Sequence, residues 1–174
     1  MRTHKKIDTT AECVVGTEAL VRLLCTPLYY NEKTHQVSPD TFDLRLLGKN
    51  QDQKEDFVSL FRRNKLDSEE SFHSALQVGY SVWDNKSWET NSYYVYGTFF
   101  CQEALIINDM IEIWPLVQSK DYHIGMFYAK SDEEYYSGPL PKDNPVILEM
   151  LSDLADLIAE SVEKAPKKYN FIYN

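Results

Sequence analysis

Residues 143–164 read DNPVILEMLSDLADLIAESVEK, and this stretch decides the class of fold. Ile147, Met150, Leu151, Leu154, Leu157, Ile158 and Val162 recur at three- and four-residue spacing, whereas Glu149, Asp153, Asp156, Glu160 and Glu163 fall on the other side. That period predicts an amphipathic helix with one apolar stripe and an acidic outer face. Asn144 with Pro145 behind it reads as a cap followed by the first helical residue, and Lys164, Lys167 and Lys168 follow where the helix dipole favours cations. A striped helix must pack its apolar side on another element, so the rest of the chain has to supply one.

Working back from the helix, the chain supplies strands. Tyr122 to Ala129, Ile111 to Trp114 (ended by Pro115), Tyr93 to Phe100 and Phe57 to Phe61 all have strand-type composition. An earlier apolar run from Cys13 to Tyr30 reads as a strand following a short turn. Between them lie shorter helical signals. Ser38-Pro39-Asp40 opens a short helix through Phe42 and Leu46, and Gln102 to Asp109 forms another. Asp67 caps a third with Glu70 as its box partner, Phe72, Ala75 and Leu76 as its apolar face, and Gly79 closing it. Residues 49–56, 83–92 and 130–142 read as loops.

Strands interrupted by helices, with a helix last, predict an α+β fold: a single domain over residues 12–174, with a mostly antiparallel sheet, helices packed on one face and a C-terminal amphipathic helix. Residues 1–11 read as a polar, flexible N-terminus. The length of 174 residues suits one domain and is short for two. With 43% hydrophobic and 26% charged residues, the chain has the composition of a folded globule and not of a disordered segment.

Charge narrows the partners. The net charge is −9, and residues 128–163 hold nine carboxylates against Lys130 and Lys142. Such a surface repels nucleic acid and anionic membrane and suits a basic protein; its simplest alternative role is to keep the protein soluble. The basic start, Met1 to Lys6, is followed by polar residues instead of an apolar core, and no run of about 18 apolar residues occurs, so neither export nor a membrane is expected. Three widely spaced cysteines, Cys13, Cys25 and Cys101, fit a reducing compartment, with cytoplasm the expected location.

No catalytic signature, close-paired metal ligands or nucleotide loop occurs, and no metal or cofactor is read from the sequence. His73 reads as a surface histidine near Glu69 and Glu70. His123 stands out because it lies in a strand, where it could be a buried base served by Cys25 or Cys101 as thiolate, with Glu103, Asp109 or Glu112 orienting it. Core packing is the ordinary role of such cysteines. The loop acids Asp132, Glu133 and Glu134 read as solvated carboxylates.

Arg22 in an early strand, Ser59 in a second and a later glutamate such as Glu112 or Glu134 form an order that is similar to that of ADP-ribosyltransferase-type folds. The resemblance implies an enzyme using NAD, or another small transferase or hydrolase, with Arg22, Ser59 and His123 around one pocket. Against it stands the aromatic content: 12 Tyr, 8 Phe and 3 Trp, among which Trp83, Trp88, Tyr93 and Tyr94 are the candidate anchors of a protein interface. The leading expectation is therefore a non-enzymatic, protein-binding accessory module of a small intracellular system of bacterial type. Its partner is another protein, basic in charge, and the apolar tail Phe171-Ile172-Tyr173 offers a segment for pairing with a second copy.

Overall fold

The computed structural model describes residues 2–26, 28–48, 50–81 and 93–164; the side chains of Tyr80, Ser81 and Tyr93 also fall outside the description. The chain forms β1 (Ala19–Thr26), the hairpin β2 (Tyr30–Asn31) and β3 (Gln36–Val37), and a 3-10 turn over Pro39–Phe42. It continues with the hairpin β4 (Leu46–Leu47) and β5 (Gln53–Lys54), then β6 (Val58–Arg62) and α1 (Glu69–Ser81). Next come β7 (Tyr93–Phe100), α2 (Cys101–Leu105), β8 (Ile111–Pro115), β9 (His123–Tyr128), α3 (Pro145–Ala159) and β10 (Glu163–Lys164). Six strands make one sheet in the order β10-β7-β1-β6-β9-β8, with every pairing antiparallel. This is the expected α+β domain. Among the described residues no helix is long and apolar enough to cross a membrane.

β1 lies inside the sheet, and every residue from Leu20 to Thr26 is buried. Directly opposed residues of antiparallel strands share a face. Arg22 opposes Gly97 and Leu23 opposes Tyr96, so the two faces can be followed across the sheet. A Cβ placed on Gly97 would meet Ile158 of α3 at 3.1 Å, which puts α3 on the Arg22 face. One placed on Gly79 of α1 would meet Leu23 Cδ1 at 2.3 Å, and the Phe72 ring lies 5.2 Å from that of Tyr96, so α1 lies on the opposite face from α3 and the helices are not packed on one face as expected. This two-sided cover is why β1 is a nearly continuous apolar run, with Arg22 its one charge.

Ile147, Met150, Leu151, Leu154, Ala155 and Ile158 are the buried residues of α3, which begins as expected with Asn144 Oδ1 accepting from Val146 N–H at 3.0 Å and Pro145 at its first turn. It ends at Ala159, short of the helix expected through Lys164, because Glu163 and Lys164 instead pair with Tyr96 and Val95 of β7 as β10. Ser38 likewise caps the 3-10 turn, which stops at Phe42 because Asp43 is already extended. The start of α1 is moved by one residue from the expectation: Ser68 and Ser71 form the reciprocal cap, each hydroxyl accepting from the other's N–H. Gly79 lies inside α1, where its missing side chain lets the helix approach Leu23 and Phe61.

The N-terminal segment lies along the β8 end of the sheet. Ile7 bridges Leu116, Asp8 N–H donates to the Pro115 carbonyl at 3.0 Å, and Val117 N–H donates to that of Lys6 at 2.9 Å. Lys6 pairs with Asp56 at 2.9 Å, and Arg2 forms an ion pair with Glu112.

Candidate functional site

Of the residues singled out by sequence, Ser59 and His123 meet. β6 and β9 pair so that Ser59 opposes Gly125 and Phe61 opposes His123, which places the Ser59 hydroxyl diagonally beside the imidazole. His123 Nε2 lies 3.2 Å from Ser59 Oγ, and Nδ1 lies 2.7 Å from Ser119 Oγ in the turn before β9. The rings of Phe57 and Phe61 approach the imidazole edge-on at 6.3 and 5.8 Å. Burial pulls its pKa below 6.5, so the neutral form dominates at pH 7. A neutral imidazole donates from one nitrogen and accepts at the other. With the proton on Nε2, Ser59 accepts and the exposed Ser119 hydroxyl donates to Nδ1, an arrangement able to draw a proton from Ser119. The imidazole opens on a cleft of about 220 Å³ that Asp8, Glu12, Lys65, Leu116 and Ser119 also line.

Arg22 does not join them. It is 3% exposed on the α3 face, with Nε and Nη2 donating to the Thr41 carbonyl at 3.1 and 2.8 Å and Nη1 to the Ser59 carbonyl at 3.1 Å. Burial pulls the guanidinium down to about 10, still charged at pH 7. Its reach is spent tying the 3-10 turn to β6, so the pocket shared by Arg22, Ser59 and His123 that the ADP-ribosyltransferase resemblance implies does not form.

The cysteine and carboxylate candidates are also engaged in structure. Cys25 and Cys101 are buried thiols outside any disulfide, and burial, followed by the charge of Glu18, pushes the Cys101 thiol up to about 11, where it stays protonated. Glu112 accepts from Arg2 Nε and Trp114 Nε1, each at 2.9 Å, and from the Tyr135 hydroxyl. Burial alone would raise its carboxyl, but those donors hold it below the usual range, which suits a clasp on the N-terminus and not a proton donor. His73 lies beside Glu69 at 3.8 Å, as its helical spacing suggests. Among the described residues no group of three or more His, Cys, Asp or Glu could hold a metal ion.

Of the aromatic anchors, Trp83 and Trp88 lie outside the described residues, as does the Tyr93 side chain. Tyr94 is a core residue at 3% exposure, opposite Cys25 on β1, which removes it as a surface anchor. The run Arg62-Arg63-Lys65, basic in sequence, is not a basic patch in space. Arg62 is buried, donating to Glu18 at 2.6 and 2.7 Å; Arg63 pairs with Glu69 and Lys65 with Glu12. Ser119 is the member of the His123 group that sequence reasoning missed, and its signal was the i, i+4 spacing to a histidine at a strand start.

α3 carries the acidic surface. Glu149, Asp153, Asp156 and Glu160 are exposed, and among the described residues none of the four makes an ion pair. No family model, no curated protein and no solved structure matches this chain.

Proposed function

We propose that this protein is a binding module that holds a basic partner protein against the outer face of α3. What supports the reading is the uncompensated row Glu149, Asp153, Asp156 and Glu160. Several cations elsewhere are drawn into local pairs: Arg2 to Glu112, Lys6 to Asp56, Arg45 to Glu55, Arg62 to Glu18 and Lys142 to Asp40 and Asp43. Four carboxylates in a row on one helix face are thus left able to act on another molecule. A row of this sign steers a basic surface into contact and opposes nucleic acid. An accessory or neutralising subunit is the role such a surface suits.

The test is affinity capture of the tagged protein from its own cells with native mass spectrometry of the eluate. It is run beside a variant carrying Glu149→Lys, Asp153→Lys, Asp156→Lys and Glu160→Lys. A stoichiometric basic protein present with the wild type and missing with the variant is the expected result. Equal recovery by both, or a bare monomer or homodimer, would overturn it.

A second reading, a small hydrolase, is favoured by one observation, the 2.7 Å contact of the exposed Ser119 hydroxyl with His123 Nδ1. A fluorophosphonate probe tests it. Ser119 Oγ would attack phosphorus, its proton passing to His123 and fluoride leaving, so a covalent adduct on Ser119 that His123→Ala abolishes supports the reading. An unlabelled wild-type protein removes it.

A further inference from the structure

Between the β2–β3 hairpin and α3 runs a groove of about 390 Å³, within the range of sites that hold side-chain-sized ligands. Its lining is mixed: Leu28, 59% exposed, gives it apolar surface, the buried Tyr30, Val37 and Ala155 back it, and Asn31 and Gln36 add polar groups. Its wall on the helix side is Ser152, and at its mouth stands Asp156. Of the four carboxylates on the outer row of α3, Asp156 is the one that lines the groove, and it has no cation among the described residues.

An exposed apolar side chain and an unpaired carboxylate lining one groove of otherwise mixed polarity match a particular kind of side chain. Lysine and arginine carry a long apolar stem with the charge confined to the tip, and they lay the stem on apolar surface while the head reaches a polar partner. A purely apolar side chain would leave Asp156 facing it unpaired, and an acidic one would be repelled. A guanidinium adds planar, forked donors suited to a carboxylate.

We propose that this groove receives an arginine or lysine side chain from an extended basic segment of the partner protein, with the stem against Leu28 and the head at Asp156. The inference rests on the acidic-face reading above and deepens it by giving that face a point of registration. Charge along α3 draws the partner in, and the groove decides where one side chain seats.

The probe is fluorescein-labelled hexaarginine, titrated against the full chain and read by fluorescence anisotropy. Ser152→Trp fills the groove without changing charge, Asp156→Asn removes the carboxylate at its mouth, and Glu149→Gln removes an equal charge two helical turns away, roughly 10 Å along the axis. The expected result is binding by the wild type, weakened about tenfold by Ser152→Trp and by Asp156→Asn and no more than about twofold by Glu149→Gln. Equal losses from Asp156→Asn and Glu149→Gln, with Ser152→Trp unaffected, would overturn the groove while leaving the acidic-face reading intact. No binding of hexaarginine overturns the groove, and only the further absence of a basic protein from the capture experiment would end the broader reading. If Ser152→Trp fails to fold, judged by circular dichroism, the comparison of Asp156→Asn with Glu149→Gln decides the matter.

Discussion

Glu18 and Arg62 carry the highest stakes of any two side chains in this domain. Their side chains are 4% and 2% exposed and joined at 2.6 Å, and Arg62 also donates to the carbonyls of Glu12 and Cys13. Burial alone would raise the Glu18 carboxyl, and the guanidinium together with the Val15 N–H outweighs it and holds it low. Removing one partner strands the other charge in the interior, so Glu18→Gln should lower the free energy of unfolding by about 3–5 kcal/mol in urea melts. Glu18→Leu with Arg62→Met should cost much less, because no charge is then left behind. Histidine sets a separate pH dependence. Burial lowers the pKa of His123 and, as its largest cause, that of His4, each below the ordinary 6.5 of the unfolded chain. Between the folded and unfolded values the unfolded chain binds more protons, so stability is full above about 6.5 and falls as pH falls through that window. His4→Gln with His123→Gln should flatten this slope down to the carboxylate range, where Glu18, Asp56 and Glu112, all held low by the fold, begin to titrate. An unchanged slope in urea melts between pH 7 and 5 would refute that assignment.

At the scale of elements, close approach to the sheet is what the helices share. Gly97, inside β7, faces Ile158 of α3 with a Cβ position 3.1 Å from Ile158 Cβ and 3.4 Å from its carbonyl oxygen. Gly97→Val should lower stability by about 1–3 kcal/mol, because the branched side chain forces α3 outward from the strand it covers. A urea midpoint unchanged by the substitution would mean α3 sits farther from β7 than this. The start of α3 was legible from Asn144 and Pro145, because a side-chain cap and a fixed φ act within a few residues. Gly79 carries the opposite lesson: near the end of a helical pattern it reads as a stop signal, yet here it is a point of contact with Leu23 and Phe61. The hairpins β2–β3 and β4–β5 were illegible, each being two residues long on a side and held by a turn.

For the whole molecule the governing quantity is its charge of −9 and the place where that charge stays unpaired. Exposed charges act at range only within a screening length of about 8 Å at physiological salt. Raising salt from about 0.05 to about 0.5 M should therefore slow association with the captured basic partner by roughly tenfold or more while leaving its dissociation nearly constant. Surface plasmon resonance reads both rates, and an association rate indifferent to salt would mean that the α3 face does not steer the encounter. Sequence located the acid excess in residues 128–163 but could not say that part of it would be uncompensated. That depended on which lysines and arginines the fold drew into pairs. It also could not separate Arg22 from Ser59 and His123, since neighbouring strands can present their side chains on either face of a sheet until the register is known.

By itself the sequence determined the α+β class, the start of the last helix and its cap, the main strands, and the sign of the surface, because each follows from local period, local hydrogen bonding or a simple sum of charges. Tertiary structure alone decided the strand order, the burial of Arg22 and Tyr94, the dispersal of the Arg62-Arg63-Lys65 run, the meeting of Ser119, His123 and Ser59, and the groove ending at Asp156. Those features depend on pairings between residues far apart in the chain, and long-range register is set by the mutual packing of faces, which no window of sequence contains.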